Sequence, residues 1–183
     1  MSDNSESAFV YDQTFDGLLT CVFEAYQLKI FPARLIAEGE PLPLFTNTAH
    51  TVVTDEQKSV RVWAALEKKL SKSALHSITV SWLADSIEGV DELIFRYIRK
   101  NIDAKTSIET NFGDADVLEL AQVYRKVSRE AHRMLQFVRF QKTADGIYFA
   151  AYEPLYNVLP LVINHFSDRF SDQRWIIYDL HRR

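Results

Sequence analysis

Arg125, Arg129 and Arg133 stand four residues apart. That spacing lines side chains along one face of an α-helix, each about one turn from the next. Guanidinium forks match phosphate oxygens in pairs, so such a row suits a polyanionic backbone. Just downstream, Arg139, Phe140, Lys142 and Tyr148 interleave cations with aromatic rings. This mixture can hold a nucleic acid by its phosphates and its bases together. The same residues also admit a plainer reading, a solvated helix face above rings that belong to the core.

A second set carries groups that move protons. Glu130, His132, Glu153, His165 and Asp179 supply carboxylates and imidazoles, which act as general acids and bases where they converge. Arg169 lies one helical turn beyond His165, and Arg182 follows Asp179. Structural ion pairs and helix-end caps are the plainer account of these residue types. No pair of histidines shares a helix face with a carboxylate at ligand spacing, so no metal is expected. There is no glycine-rich phosphate loop, nucleophile elbow, His-Glu-x-x-His or dinucleotide fingerprint, and no cofactor is expected. The single cysteine, Cys21, sits in the apolar run 18–23, reads as a small buried hydrophobe, and excludes an internal disulfide.

These residues need elements to place them. Apolar residues at Leu120, Val123, Val127, Ala131, Met134 and Val138 recur every three or four positions, which predicts a long helix over about 114–137 with Asp114 as its N-cap. Arg125, Arg129, His132, Arg133 and Gln136 fall on its opposite face. The runs 138–142 and 147–152 flank Thr143-Ala144-Asp145-Gly146, a hairpin signal. A helix is expected over about 157–170, burying Leu159, Val162, Ile163, Phe166 and Phe170, and a last strand over 174–179 able to pair with the hairpin. Upstream, helices are expected at 15–26, after Thr54, from Ser73 and after Gly89. Thr54 and Gln57 have capping-box spacing, and Val60, Trp63, Ala64 and Leu70 are assigned to the core side of the helix that follows. Pro32, Pro41 and Pro43 keep residues 28–53 irregular, apart from a short strand near 48–54. The fold class is therefore α+β: a mainly helical first half, then a long helix, a hairpin, a helix and a last strand. The last strand and the hairpin are expected to form a small antiparallel sheet packed on helices.

With 183 residues, 47% of them hydrophobic, the chain is expected to form one domain spanning 1–183, with residues 1–10 flexible. The start of the chain lacks the basic and apolar regions of a signal peptide, and no apolar run spans a bilayer, so a cytoplasmic location without membrane contact is expected. The net charge is -4, yet residues 122–142 hold six Lys/Arg against Glu130 alone. An acidic protein with one basic stretch can carry a local anion-binding face.

Residues 125–134 followed by 137–140, Asp145-Gly146-Ile147-Tyr148 with Glu153-Pro154, 159–160 through 165–170, and Trp175 to Asp179 with Arg182 resemble a bacterial family of unknown function described as DNA metabolism proteins. Tyr11-Asp12 and 15–19 resemble its opening. The resemblance implies a role beside a radical SAM enzyme that modifies or repairs DNA, or beside a uracil-DNA-glycosylase-like domain to which the family is sometimes fused. It also implies a short aromatic tail beyond position 183, which this sequence does not carry. The leading expectation is a DNA metabolism or repair accessory protein that binds DNA or a DNA-modifying partner. The alternatives are an acid–base enzyme acting on nucleic acid and a protein-interaction module that does not touch DNA.

Overall fold

In the computed structural model, residues 7–44 and 46–182 are described. The expected flexible start, residues 1–10, lies outside them as far as residue 6. From Ser7 on the expectation is corrected: Ser7–Tyr11 is a strand, β1, almost wholly buried. Ser7, Ala8, Phe9 and Tyr11 have no exposed side, which suits a central strand covered on both faces. Helix α1 (Phe15–Leu28) returns the chain so that β2 (Arg34–Ala37) pairs parallel to β1, and β3 (Thr48–Thr51) pairs parallel on its other edge.

Thr14 caps α1, its hydroxyl accepting from the Gly17 N–H at 2.9 Å. Helix α2 (Glu56–Lys69) begins one residue later than the capping-box spacing predicts. Asp55 is the cap, and Thr54 instead donates its hydroxyl to Asp12. The phase of α2 differs too: Ser59, Val62 and Leu66 face inward while Val60 is exposed. Ser59 reaches a buried position because its hydroxyl donates to the Asp16 carboxylate at 2.8 Å, which removes the cost of burying it.

Helices α3 (Lys72–Trp82) and α4 (Val90–Asp103) follow, α4 burying Leu93, Ile94, Tyr97 and Ile98, which share one helical face. The longest helix, α5 (Ala115–Phe137), packs against α3 and α4, with Val127 and Met134 fully buried. Each such side chain contributes about 1.5–3 kcal/mol through burial.

The second sheet holds β4 (Gln141–Lys142), β5 (Tyr148–Tyr152) and β6 (Trp175–Asp179), in the order β4-β5-β6, and α6 (Leu159–Arg169) connects β5 to β6. Gly146, at φ 82°, makes the hairpin turn. The fold is α+β with two small sheets on helices, and the second sheet is mixed: β4 pairs antiparallel to β5, whereas β6 pairs parallel. The crossover through α6 reverses direction twice and so delivers β6 parallel. Within α6, Val162 and Phe166 are buried, while Ile163 is 48% exposed.

Candidate nucleic-acid interface

The candidate residues begin on the outward face of α5. Asp114 caps this helix, accepting from the N–H groups of Asp116 and Val117. The buried stripe from Leu120 to Met134 fixes its rotation, so Arg125, Arg129, His132 and Arg133 are exposed. Among the described residues, neither Arg125, Arg129 nor Arg133 forms an ion pair.

Beyond the helix the basic residues divide. Arg139 folds back, its guanidinium donating to the carbonyls of Gln136 and Val138 at 2.7 and 3.1 Å. It caps the end of α5, where unpaired carbonyls and the helix dipole favour a cation. Lys142 lies over the Tyr148 ring, 5.8 Å from its centroid. Tyr148 is half-buried and stacks on Phe170. Phe140 is enclosed by Phe166, Phe170 and Trp175, with ring centroids 4.7–6.3 Å away. Phe140 therefore underpins the basic surface from the core, and its ring is not free for a base.

The acid–base candidates are spread over different jobs. Glu130 accepts from the backbone N–H groups of Leu155 and Tyr156 at 2.7 and 3.3 Å, tying α5 to the segment after β5. Asp179 accepts from the N–H groups of His181 and Arg182 and from the Arg182 guanidinium. Burial pulls the Asp179 carboxyl up, but these hydrogen bonds outweigh it and hold the group below the usual carboxylate range. Glu153 is exposed. His132 contacts the Gln136 amide, and His165 lies edge-on to Phe166. Among the described residues, no two of Glu130, His132, Glu153, His165 and Asp179 share a hydrogen bond, and none of their groups form a metal cluster.

Arg182 is a clamp. It pairs with Asp85 through two 2.7 Å contacts, with Asp179, and with the carbonyls of Pro154 and Leu155. Arg169 is exposed and lies 5.7 Å from the Phe170 ring centroid. Exposed Arg174 helps lower the Asp145 carboxyl, after the larger contribution of the Thr143 hydroxyl.

Sequence reasoning missed the polar features of the first half. A cavity of about 510 Å³ lies along β2 and at the carboxyl end of β1, and includes Tyr11, Gln13, Arg34, Trp82, Asp85 and Asp91 in its lining. Several of its charges are already engaged: Tyr11 donates to Asp91, Arg34 pairs with Glu92, and Asp85 holds Arg182. Burial first, and Asp91 second, push the Tyr11 hydroxyl far above its ordinary pKa. Elsewhere in the first half, Glu24 contacts both Lys58 and His50. Partners 26 and 34 positions apart leave no local spacing from which either contact could be read.

The sequence profile of a family described as a domain of unknown function, DUF4130, matches residues 88–183. The matched stretch runs from just before α4 through the second sheet and includes the whole basic segment. No curated protein and no solved structure matches the chain.

Proposed function

The chain belongs to the DUF4130 family of domains of unknown function, and from there we propose that it is a DNA-associated accessory protein. In this reading it holds a nucleic-acid backbone along α5 and β4 while a partner enzyme carries out the chemistry. The supporting observation is the state of the cations. Arg125, Arg129, Arg133 and Lys142 are exposed and, among the described residues, unpaired with any carboxylate. A guanidinium without a partner gives up no ion pair on meeting a phosphate, so its charge is available to displace counterions. The sequence resemblance adds the kind of partner, a DNA-modifying enzyme of radical SAM or glycosylase type, in the cytoplasm. The acid–base alternative draws less support, because Glu130 and Asp179 already serve the backbone and Arg182.

Fluorescence anisotropy across salt concentration, with labelled single-stranded, duplex and abasic DNA, tests the reading. The protein should bind with a steep salt dependence. Arg129→Ala combined with Arg133→Ala should weaken binding and lower the slope by about two units, close to one per lost phosphate contact. Unchanged affinity and slope would overturn the proposal. Capture of an acidic protein partner without DNA binding would assign the face to protein interaction instead.

A further inference from the structure

Phe140 is closed off in the core and Tyr148 is engaged by Lys142 and Phe170, so neither ring is free for a base. Phe149 and Tyr178 alternate to the outer side of the second sheet, with Glu153, and are exposed there, off the basic face. A different ring stands on the basic face itself. Phe137 ends α5, four residues after Arg133 and two before Arg139. Four residues along a helix make about one turn, so Phe137 continues the row of Arg125, Arg129 and Arg133. Met134 and Val138 take the core-facing positions of this last turn, which leaves Phe137 outside. It is 66% exposed, and among the described residues its ring meets no other ring and no cation. The Arg139 guanidinium, folded back on the carbonyls of Gln136 and Val138, borders it from the far end. Glu130, seven positions back, is turned to the N–H groups of Leu155 and Tyr156. The charge bordering the ring is therefore set by Arg133 and Arg139.

We infer that Phe137 is the base-contacting residue of this face, and that its ligand is a single-stranded or locally opened nucleic acid. An unstacked base lies on the ring while Arg125, Arg129 and Arg133 follow the phosphates. This rests on the backbone-binding reading above and specifies its substrate. The ring has only two side-chain torsions to fix, so holding it against a base costs little entropy. Stacking tolerates any sequence, because every base has a π-face. In an intact duplex the base faces cover each other and reach a ring on a helix only when opened. The bordering cations decide the occupant. An apolar protein surface laid on Phe137 would desolvate Arg133 and Arg139 without supplying a counter-charge, whereas a strand brings a phosphate with every base.

The test uses the full chain with a labelled oligothymidylate, a strand of equal length built of abasic residues, and the duplex of the first. Wild type should bind the oligothymidylate more tightly than the abasic strand, which has the same phosphates and no bases. Phe137→Ala should weaken oligothymidylate binding about tenfold, leaving the salt slope and the abasic-strand and duplex affinities unchanged. Phe137→Trp should keep the oligothymidylate affinity, and Phe137→Leu, apolar but without a π-face, should match the alanine variant. All three variants should keep the Tm of wild type, as exposed positions do, which separates stacking from folding. If Phe137→Ala leaves oligothymidylate affinity unchanged, or weakens all three ligands alike, the assignment is refuted, and the backbone reading survives where binding stays salt-dependent. No salt-dependent binding by wild type refutes both. If sedimentation shows a dimer that Phe137→Ala dissociates while strand affinity is unchanged, Phe137 is a self-association contact and the assignment is refuted.

Discussion

Arg34, Lys58, Arg96 and Lys100 each lie within 2.9 Å of a carboxylate. Arg125, Arg129, Arg133 and Lys142 reach none among the described residues. Several of the first group tie one element to another. Arg96 and Lys100 on α4 grip Asp116 at the start of α5, and Lys58 on α2 grips Glu24 on α1. The second group sits on the side of α5 turned away from its packing partners, or on an edge strand. The contrast separates charge that holds elements together from charge that meets no carboxylate. Arg182 tests the rule from inside the second half: it is paired on both sides, and it is structural.

If that division is right, charge removal should cost stability in one set and binding in the other. The largest loss of stability is expected for Arg182→Ala. It removes the guanidinium links to Asp85, Asp179 and the carbonyls of Pro154 and Leu155, and leaves Asp179 nearly buried without a cation. The cost should be about 3 kcal/mol, a fall in Tm of roughly 10 °C, with DNA affinity of the folded variant unchanged. A loss of affinity without a fall in Tm would move Arg182 into the binding set.

Next in size is the acid response. Burial pulls the Asp116 carboxyl up, but hydrogen bonds from Lys100 and Arg96 outweigh it and hold its pKa low. Asp179 is lowered in the same sense by Arg182. A carboxylate with a depressed folded pKa contributes stability that is present above its unfolded value, about 3.9, and is lost as pH falls through the folded one. Tm measured from neutral pH to about 3 should therefore decline at the acid end, and Asp116→Asn should lower the neutral plateau and flatten that limb. An unchanged acid limb in the variant would show that the tie from α4 to α5 does not stabilise the fold.

Gly17→Ala ranks third. A Cβ at Gly17 would lie 2.2 Å from the Asp12 carboxylate, which Thr14 and Thr54 hold in place. In place of the gain of about 1 kcal/mol usual for this change in a helix, a net loss of about 1–2 kcal/mol is expected. Chemical denaturation measures it, and Asp12→Ala in the same chain should recover part of the loss. The smallest stability effects belong to Arg125→Ala and Arg129→Ala, each within about 0.5 kcal/mol of wild type, while each lowers the salt slope of DNA binding by about one unit. A clear fall in Tm in either would place that arginine with the structural set.

The parts of this molecule that could be read from sequence are those whose cause is local. The three- and four-residue spacing of α4 and α5, the Asp114 cap and the Asp-Gly turn all act within a few positions, and all are present in the structure. β1 gave no such signal. Its five residues are covered on both faces, so they do not alternate, and they follow a polar start. The parallel arrival of β6 depends on the whole α6 crossover, which leaves no turn signature. The phase of α2 does not follow from its apolar spacing, because Ser59 goes inward on a hydrogen bond to Asp16, 43 positions away. The candidate interface divides in the same way. The row of arginines follows from their spacing alone. Which cations are free depends on tertiary partners, 20 positions apart for Arg96 and Asp116 and 97 for Arg182 and Asp85. The enclosure of Phe140 and the exposure of Phe149 were hidden for the same reason, because the side of the sheet that meets the helices is decided by packing.

The bond from Arg182 to Asp85 also has a consequence in time. As the chain is synthesised from its N-terminus, β1 through α5 can assemble before the last strand exists. The second sheet gains β6 only once residues 175–179 have emerged, and the loop at Asp85 is fastened three residues later. Closing contacts of such long separation form late in folding. A refolding experiment that follows Trp175 separately from Trp63 and Trp82 should therefore resolve two phases, the slower one coinciding with the docking of the sheet whose outer face carries Phe149 and Tyr178.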